Sequence, residues 1–382
     1  MRPASRVAYL CVDPGVPVHG TKGASVHVQE VVRAFRARGA DVRLYCTRTG
    51  DHPPSDLADV AVTRLRIGAT GGLDPAQREH AQRDAASALA RRAAADGVDL
   101  VYERYSLFST ALASIVAATS APGVLEVNAP LIDEQRTHRV LVDEGAARVA
   151  LTVQARAASR IAAVSDPVAD WVRRQVPDAA DKVVVAPNGV NVDRLAPAPG
   201  GRPSAPPTVI FVGTLKPWHG VELLIEAAAR ATVGWRLVIV GDGPLARPLR
   251  EQATRLGVDV EFRGALAPHD VPAALASATI GVAPYPADDP GQPQYFSPLK
   301  VYEYSAAGLP VVASRVGQLP AAVGHEGTGL LVPPGDATAL AAALDRLAAD
   351  PALARRMGRA GRERMTARHT WGHVLDTVLA DV

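Results

Sequence analysis

The chain of 382 residues is long enough to form two domains, each able to bury its own hydrophobic core. Apolar residues make up 48 % of it and the net charge is +2, a composition that fits a soluble globular protein and does not indicate nucleic-acid binding. The first twelve residues contain only one short apolar run, so we expect no signal peptide, no transmembrane helix and a cytoplasmic protein.

Strand and helix patterns alternate from the start of the chain, which predicts a parallel sheet covered by helices on both faces. The predicted strands of the first half are 6–12, 42–45, 98–103, 124–127, 160–164 and 182–185. The predicted helices are 26–38, 75–96, 108–119, 138–158 and a short helix that Ser165 caps. This half is expected to be an α/β domain.

Residues 193–207 contain five prolines and two glycines and show no apolar period, so we predict a hinge linker there. A second series follows, with strands at 208–212, 236–240, 260–263, 279–283 and 310–313, and with helices between them. The predicted division is a first domain at 1–192, the linker, a second domain at 208–365 and a C-terminal helix at 366–382. In one arrangement that the sequence allows, this C-terminal helix packs back on the first domain.

A candidate anion site precedes a predicted helix in the second half. Ser297 and Pro298 are interpreted as its N-cap and first helical residue, so the amides of the first turn, with Leu299, would face a ligand. Lys300 adds a cation, and Glu303 can accept hydrogen bonds from a diol such as a ribose. The alternative is an ordinary capped helix with solvated charges. The functional interpretation predicts a sugar nucleotide as ligand.

Lysine is rare in this chain. Among 41 basic residues only four are lysines, so arginine is preferred wherever either residue would serve. Three of the four, Lys22, Lys216 and Lys300, lie in loops that contain glycine or proline. A compact, flexible ammonium can reach a phosphate that a planar guanidinium would overshoot, so these lysines are candidate phosphate ligands.

Several short motifs occur in an order and spacing that resemble the retaining GT-B glycosyltransferases of glycosyltransferase family 4. The motifs lie at residues 23–28, 99–105, 125–130, 187–191, 211–220, 240–244 and 262–264, followed by the helix that contains Glu303. The resemblance covers nearly the whole chain. It implies an α/β GT-B fold, in which two Rossmann-like, doubly wound domains face each other across a cleft.

In the resembling family the C-terminal domain binds the sugar nucleotide. The donor-binding residues that the resemblance implies here are Gly213, Thr214, His219, Gly241, Gly243, Arg263, Leu266, Tyr295, Ser297, Pro298, Leu299 and Glu303. The glycines would let the chain approach the ligand, the segment from Arg263 to Leu266 would support the base, and Glu303 would hold the ribose. Lys216 and Lys300 are the candidate catalytic cations, because they would neutralise the diphosphate leaving group.

The chain departs from the family pattern at several of these positions. Tyr295 stands where the family usually has a glutamate that contacts the donor sugar. Thr214 and His219 stand where arginine and lysine are frequent, and Lys216 is the proposed substitute. A non-catalytic subunit that binds sugar nucleotides is therefore one alternative function. A second alternative is a sugar-nucleotide epimerase or a phosphorylase on the same scaffold.

The acceptor side is assigned to the first domain. Asn128 replaces a histidine that is common in the family, and Glu126 lies two residues earlier on the same strand face. With His27 they are candidate catalytic residues, and a buried structural role is the alternative for Glu126. The acceptor-side loop consists of Lys22, Gly23, Ala24 and Ser25.

The resemblance implies a bacterial, hexosyltransferase-like enzyme that uses a UDP- or GDP-sugar and needs no metal and no cofactor. Asp288 and Asp289 lie in a loop rich in proline and glycine and are interpreted as solvated or acceptor-facing, not as metal ligands. We expect a small-molecule acceptor in preference to a lipid, and no nucleic-acid partner. The sequence leaves the oligomeric state and the identities of the donor sugar and the acceptor open.

Overall fold

The computed structural model describes residues 5–50, 52–67, 72–197, 206–287 and 294–382. The chain divides into two compact units. The first comprises Met1–Asn188, Tyr295–Ser297 and Trp371–Val382, and the second comprises Gly189–Gln294 and Pro298–Thr370. Asp288, Asp289 and the part of the predicted linker at 198–205 lie outside the described residues.

The first unit is built on a parallel sheet of seven strands in the order β3-β2-β1-β4-β5-β6-β7. The strands are β1 (Arg6–Cys11), β2 (Asp41–Cys46), β3 (Ala61–Arg64), β4 (Leu100–Arg104), β5 (Gly123–Val127), β6 (Arg160–Ala163) and β7 (Val183–Val185). The helices are α1 (Gly23–Ala37), α2 (Pro75–Asp96), α3 (Ala111–Thr119), α4 (Leu131–His138), α5 (Glu144–Ala157) and α6 (Asp166–Gln175). Short 3₁₀ turns occupy Ser55–Leu57 and Pro177–Lys182.

The second unit contains a parallel sheet of six strands in the order β10-β9-β8-β11-β12-β13. The strands are β8 (Thr208–Val212), β9 (Arg236–Val240), β10 (Val260–Gly264), β11 (Ile280–Ala283), β12 (Val311–Ser314) and β13 (Gly329–Val332). The helices are α7 (Val221–Ala229), α8 (Ala246–Leu256), α9 (Val271–Ala276), α10 (Leu299–Ala306), α11 (Leu319–Val323), α12 (Ala337–Ala349) and α13 (Pro351–Arg368). A 3₁₀ turn at Pro217–His219 precedes α7.

Each unit has its own hydrophobic core, because parallel strands buried on both faces need helices on both sides. The C-terminal helix α14 (Trp371–Leu379) packs against α1 in the first unit. Within the described residues, no helix combines the length and the apolarity needed to cross a bilayer. The predicted alternation of strands and helices is confirmed, and so is the α/β class.

The predicted helix at 138–158 is wrong at its start, because two helices occupy this region. α4 ends at His138 and α5 begins at Glu144. In the loop between them, the amides of Val142 and Asp143 donate to the buried carboxylate of Glu79, at 2.7 and 2.9 Å. Asp143 then caps α5 by accepting from the amide of Ala146. Because these amides bond to side chains, the helical ladder is interrupted here.

Two edge strands, β3 and β13, were not predicted from the sequence. Both are only four residues long, and within the described part of the chain each pairs with a single neighbouring strand. The cap that Ser165 was predicted to form is confirmed, since its hydroxyl accepts from the amide of Val168.

Candidate active site

The strand order of each sheet reverses at one point, and ligands of open parallel sheets bind beyond the carboxyl ends of the strands at that point. In the second unit the reversal lies between β8 and β11. Gly213 follows β8, and Tyr285 lies shortly after β11. The loop after β8, the described residues directly after β11 and the start of α10 therefore form the candidate donor site.

Three glycines from the predicted donor set lie in loops that interlock tightly. The amide of Gly213 donates to the carbonyl of Val240 at 2.9 Å, and that of Gly241 donates to the carbonyl of Gly264 at 2.7 Å. A Cβ atom on Gly241 would lie 1.8 Å from the carbonyl oxygen of Gly213, and one on Gly243 would lie 2.6 Å from the carbonyl oxygen of Leu215. Only glycine fits at Gly241, because the backbone of Gly213 fills the space that a side chain would need.

Lys300 has a buried ammonium without a hydrogen-bond partner among the residues that the structure describes. Its Nζ lies 4.4 Å from the ring centroid of Phe211 and 4.9 Å from that of Tyr285. It also lies 3.1 Å from the position that a Cβ on Gly213 would occupy. Burial lowers the pKa of Lys300 to about 7, and the nearby Glu303 carboxylate opposes that shift. The aromatic faces hold the cation at the switch point without consuming its donors.

The predicted cap at Ser297 is wrong. Helix α10 begins at Leu299, after Pro298, and no side chain of the described residues caps it. The hydroxyl of Ser297 accepts instead from the amide of Asn188 at 3.0 Å, within the first unit. The first amides of α10 nevertheless lack intrahelical acceptors, as at any helix start, and Glu303 lies one turn further along.

Lys216 and His219 lie in the loop between β8 and α7. The Lys216 ammonium is 4.5 Å from the ring centroid of Trp218, whose side chain is half exposed. His219 Nδ1 lies 2.5 Å from the carbonyl oxygen of Thr214. Burial disfavours protonation of this imidazole, and the charges of Lys300 and Lys216 add to that effect, which lowers its pKa.

Arg263 and Leu266, the predicted base-binding residues, lie at the end of β10 and just beyond it. The guanidinium of Arg263 is exposed and donates to Glu261 at 2.7 Å. Leu266 is half-buried in the loop that follows. Predicted donor residues therefore lie in the loops after β8, β9 and β10. These loops are all at the same edge of the second sheet, because its strands are parallel.

Glu126 is the centre of a buried network at the carboxyl ends of β4 and β5 in the first unit. One carboxylate oxygen accepts from His27 Nε2 and from the Tyr102 hydroxyl, both at 2.7 Å. The other accepts from Asn128 Nδ2 at 3.0 Å and lies 3.6 Å from Arg104 Nη1. Burial would raise the pKa of Glu126, but His27, Arg104 and Tyr102 outweigh it and lower the pKa to about 2.

The structure therefore brings the three candidate catalytic residues of the first unit, His27, Glu126 and Asn128, into one cluster. Sequence reasoning missed Tyr102 and Arg104. Arg104 is the register partner of Glu126 on the adjacent strand, and charged residues at the ends of two buried strands were the available signal. Because its oxygens are already engaged, Glu126 positions His27 and Asn128.

The acceptor-side loop forms the start of α1. Helix α1 was predicted to begin at residue 26 but begins at Gly23, because the carbonyl of Lys22 accepts from the amides of Ser25 and Val26. Lys22 and Gly23 are exposed, Ala24 is half-buried and Ser25 is buried. The Ser25 hydroxyl has no hydrogen-bond partner among the described residues.

Tyr295 belongs to the first unit, as Ser297 does, whereas the other predicted donor residues belong to the second. Its hydroxyl donates to Glu134, and its carbonyl accepts from the Ser165 hydroxyl at 2.6 Å. Its ring packs against the core of the first unit. The hydroxyl of Tyr295 is therefore engaged with a protein carboxylate.

Comparison with known proteins identifies the family of this chain. The model of "Glycosyltransferase Family 4" matches residues 21–194, and that of "Glycosyl transferases group 1" matches residues 206–350. A D-inositol 3-phosphate glycosyltransferase of Jonesia denitrificans is 30 % identical, over 99 % of this chain and 96 % of that protein. The chain belongs to glycosyltransferase family 4. It is a glycosyltransferase, and the predicted family is confirmed.

Two further proteins are similar to this chain, one in part of its sequence and one in its structure. A GDP-mannose-dependent alpha-(1-6)-phosphatidylinositol monomannoside mannosyltransferase of Mycobacterium tuberculosis is 36 % identical, but the match spans 51 % of this family 4 chain and 54 % of that protein. The sucrose-phosphate synthase of Thermosynechococcus elongatus has a similar structure, with a TM-score of 0.71 and 24 % identity over 97 % of this chain and 96 % of that one. The second similarity concerns the fold, which is GT-B as predicted.

Proposed function

We propose that this glycosyltransferase takes its sugar from a nucleoside diphosphate sugar and transfers it, with retention of anomeric configuration and without a metal ion, to a small-molecule acceptor. The observation that carries the proposal is the buried ammonium of Lys300 at the switch point of the second sheet, which has no hydrogen-bond partner among the described residues. A buried donor without an acceptor is unfavourable, so the site is complete only when an anion joins it.

A diphosphate fits this site for electrostatic reasons. As the glycosidic bond breaks, negative charge grows on the leaving diphosphate, and preorganised cations and amides stabilise it there. Lys300 supplies one cation, Lys216 a second, and the first turn of α10 supplies amides with the positive end of the helix. Because the ammonium of Lys300 is already fixed against two rings, little reorganisation accompanies the reaction.

The remaining parts of the donor are assigned from the same unit. Glu303 lies one turn beyond Lys300 and would accept hydrogen bonds from the ribose hydroxyls. The segment from Arg263 to Leu266, at the end of β10 and just beyond it, would support the base. The name of the mycobacterial mannosyltransferase, which depends on GDP-mannose, supports a nucleotide sugar as donor.

The first unit is assigned to the acceptor. Asn128 and His27 are held by an anionic Glu126, whose low pKa makes it a poor proton acceptor at neutral pH. We therefore assign Glu126 to positioning and nominate no protein nucleophile. The Jonesia denitrificans relative is named for inositol 3-phosphate, a small molecule, which supports a small acceptor here.

The test is product analysis with the full chain. UDP-glucose and GDP-mannose are each incubated with a panel of acceptors that includes inositol phosphates, with and without a chelator, and the product is examined by NMR. We expect the nucleoside diphosphate to be released only when an acceptor is present. The transferred sugar should have the same anomeric configuration in the product as in the donor, and the chelator should have no effect on the reaction.

Other outcomes identify the alternatives. Conversion of the donor without any acceptor would indicate an epimerase, and dependence on inorganic phosphate would indicate a phosphorylase. Tight donor binding with no turnover against the whole panel would favour a non-catalytic binding subunit. A product of opposite anomeric configuration would overturn retention.

A further inference from the structure

His219 occupies a rigid position beside the proposed diphosphate site. It ends the 3₁₀ turn Pro217–His219, and the next residue, Gly220, begins the connection to α7. A Cβ on Gly220 would lie 1.9 Å from the carbonyl oxygen of Pro284, so this loop packs directly on the segment after β11. The backbone next to His219 is therefore closely packed, and the hydrogen bond to Thr214 and the rings of Phe211 and Tyr285 place the imidazole.

The hydrogen bond of His219 defines its tautomer. Nδ1 lies 2.5 Å from the carbonyl oxygen of Thr214, and a carbonyl oxygen can only accept. Nδ1 must therefore carry the proton. In the neutral ring, Nε2 then carries the lone pair and can accept a hydrogen bond.

The surroundings of His219 keep its ring neutral. The ring lies edge-on or tilted against Phe211 and Tyr285, with centroids 6.0 and 5.7 Å away, and Lys300 rests on the same two aromatic rings. Burial lowers the pKa of His219 to about 4, assisted by Lys300 and Lys216 and opposed by the bond to Thr214. An imidazolium here would be desolvated next to two cations.

A neutral ring of this tautomer offers no N–H at Nε2 to the diphosphate oxygens, which are themselves acceptors. It can bind a hydroxyl group, which donates a hydrogen bond. We propose that His219 determines donor specificity by accepting a hydrogen bond from a hydroxyl of the transferred sugar, and that it does not bind the diphosphate. The inference rests on the proposed function, since the sugar is the group attached to the diphosphate that Lys300 would hold. It gives His219 a role that a lysine at this position could not fill.

Calorimetry with free nucleotides and sugar nucleotides separates the two roles. Dissociation constants for UDP, GDP, UDP-glucose and GDP-mannose are measured for the wild type and for His219→Asn. Asparagine keeps an N–H where Nδ1 lies, so the bond to Thr214 is retained while the Nε2 acceptor is removed. We expect the sugar nucleotide that binds the wild type to bind the variant about tenfold more weakly, and the free nucleotide to change by less than about twofold.

The matched control is His269→Asn, because the His269 side chain is 82 % exposed in the same unit. It should change neither constant. Equal losses for free and sugar nucleotide in His219→Asn would show a diphosphate ligand and overturn the proposal, and so would no loss for either. A wild type that binds no nucleotide and no sugar nucleotide would overturn the proposed function as well.

A second measurement does not depend on the folding of the variant. Analogues of the bound sugar nucleotide, each with one hydroxyl replaced by hydrogen, are titrated into the wild-type protein. We expect one analogue to bind about tenfold more weakly. That analogue should lose nothing further in His219→Asn, because one hydrogen bond is removed from either side. Additive losses would contradict direct contact.

Discussion

Lys300 is the side chain on which the proposed chemistry depends most. A cation that meets growing charge on the leaving group interacts more strongly with the transition state than with the ground state. We therefore expect Lys300→Ala to lower kcat by roughly 10²–10³ while the donor KM changes far less. Steady-state kinetics with varied donor concentration measure this split.

Two further variants make the kinetic test specific. Lys182→Ala is the control, because the Lys182 ammonium is exposed and bonds to the carbonyl of Arg156 in the first unit. Its turnover should match the wild type. Near-wild-type turnover of Lys300→Ala beside an inactive Lys216→Ala would assign the principal cation to Lys216. If Lys300→Ala and Lys216→Ala both remained active, the diphosphate would have to bind elsewhere.

The lowered pKa of Lys300 predicts proton uptake on donor binding. With a pKa of about 7 in the free protein, most of this side chain is neutral at pH 8, and a bound diphosphate would restore its usual pKa. Calorimetry of a sugar nucleotide at pH 8, in two buffers with different ionisation enthalpies, should show uptake of up to about one proton. Lys300→Met should show none. A buffer-independent enthalpy in the wild type would contradict this prediction.

The lowered pKa of Lys300 also makes the unfolding free energy of the free protein depend on pH. Between about pH 7 and the usual lysine value of 10.5, the unfolded chain holds a proton that the folded protein lacks. This group therefore makes the unfolding free energy rise with pH across that window. Below about pH 7 the buried charge is a cost to the free protein.

At the scale of elements, the Glu126 network joins α1, β4 and β5. The pKa of Glu126 in the folded protein is about 2, below the usual value of 4.5. The contribution of this carboxylate to stability is therefore present above about pH 4.5 and is lost as the pH falls toward 2. Glu126→Gln should lower the unfolding free energy at pH 7 by about 2–4 kcal/mol, because Arg104 loses its buried counter-charge and His27 loses a charged hydrogen-bond acceptor.

Urea unfolding at several pH values tests this prediction. The difference between the wild type and Glu126→Gln should shrink as the pH is lowered from 5 to 3. Asp84→Asn, which changes an exposed carboxylate on α2, should be neutral throughout. A constant difference across this range would mean that the charge of Glu126 does not stabilise the first unit.

The interlocked glycine loops give a second prediction at this scale. Gly241→Ala places a methyl group 1.8 Å from the carbonyl oxygen of Gly213, so the loops after β8 and β9 must separate. We expect a loss of at least about 2 kcal/mol in stability and loss of nucleotide binding. Gly234→Ala has nothing within 4 Å of its new methyl and is the control. Unchanged nucleotide affinity in Gly241→Ala would separate this loop from the donor site.

Element boundaries show where sequence reasoning succeeds and where it stops. The long buried strands have strong apolar patterns and were predicted within a few residues. The short edge strands β3 and β13 lack such patterns, and the break between α4 and α5 depends on Glu79, which is more than sixty residues away along the chain. Non-local bonds of this kind leave no periodic signal.

The site was predictable to a similar extent. Lys300 was singled out because lysine is rare, and Glu303 because of its place on the helix. Phe211, on β8, and Tyr285, in the segment after β11, both hold Lys300, and only the fold brings their rings together. The Ser297 cap failed because Asn188, distant in sequence, uses its hydroxyl. Close spacing along the chain does not reveal such competition.

At the scale of the whole molecule, the chain consists of two parallel-sheet units, and each sheet has its own switch point. We assign the donor to the second unit and the acceptor to the first. The first unit also includes Tyr295–Ser297 and Trp371–Val382, which come from later in the chain. This membership arises from tertiary contacts such as Ser165 with Tyr295, which the sequence pattern does not contain.

The most direct test of the donor assignment is hydrogen–deuterium exchange of the full chain, measured by mass spectrometry with and without a saturating sugar nucleotide. We predict slower exchange at the amides of residues 213–220, 241–243 and 299–303 in the second unit, because a bound diphosphate and its sugar would engage or cover them. Binding that leaves exchange in these three segments unchanged and slows it elsewhere would contradict the account.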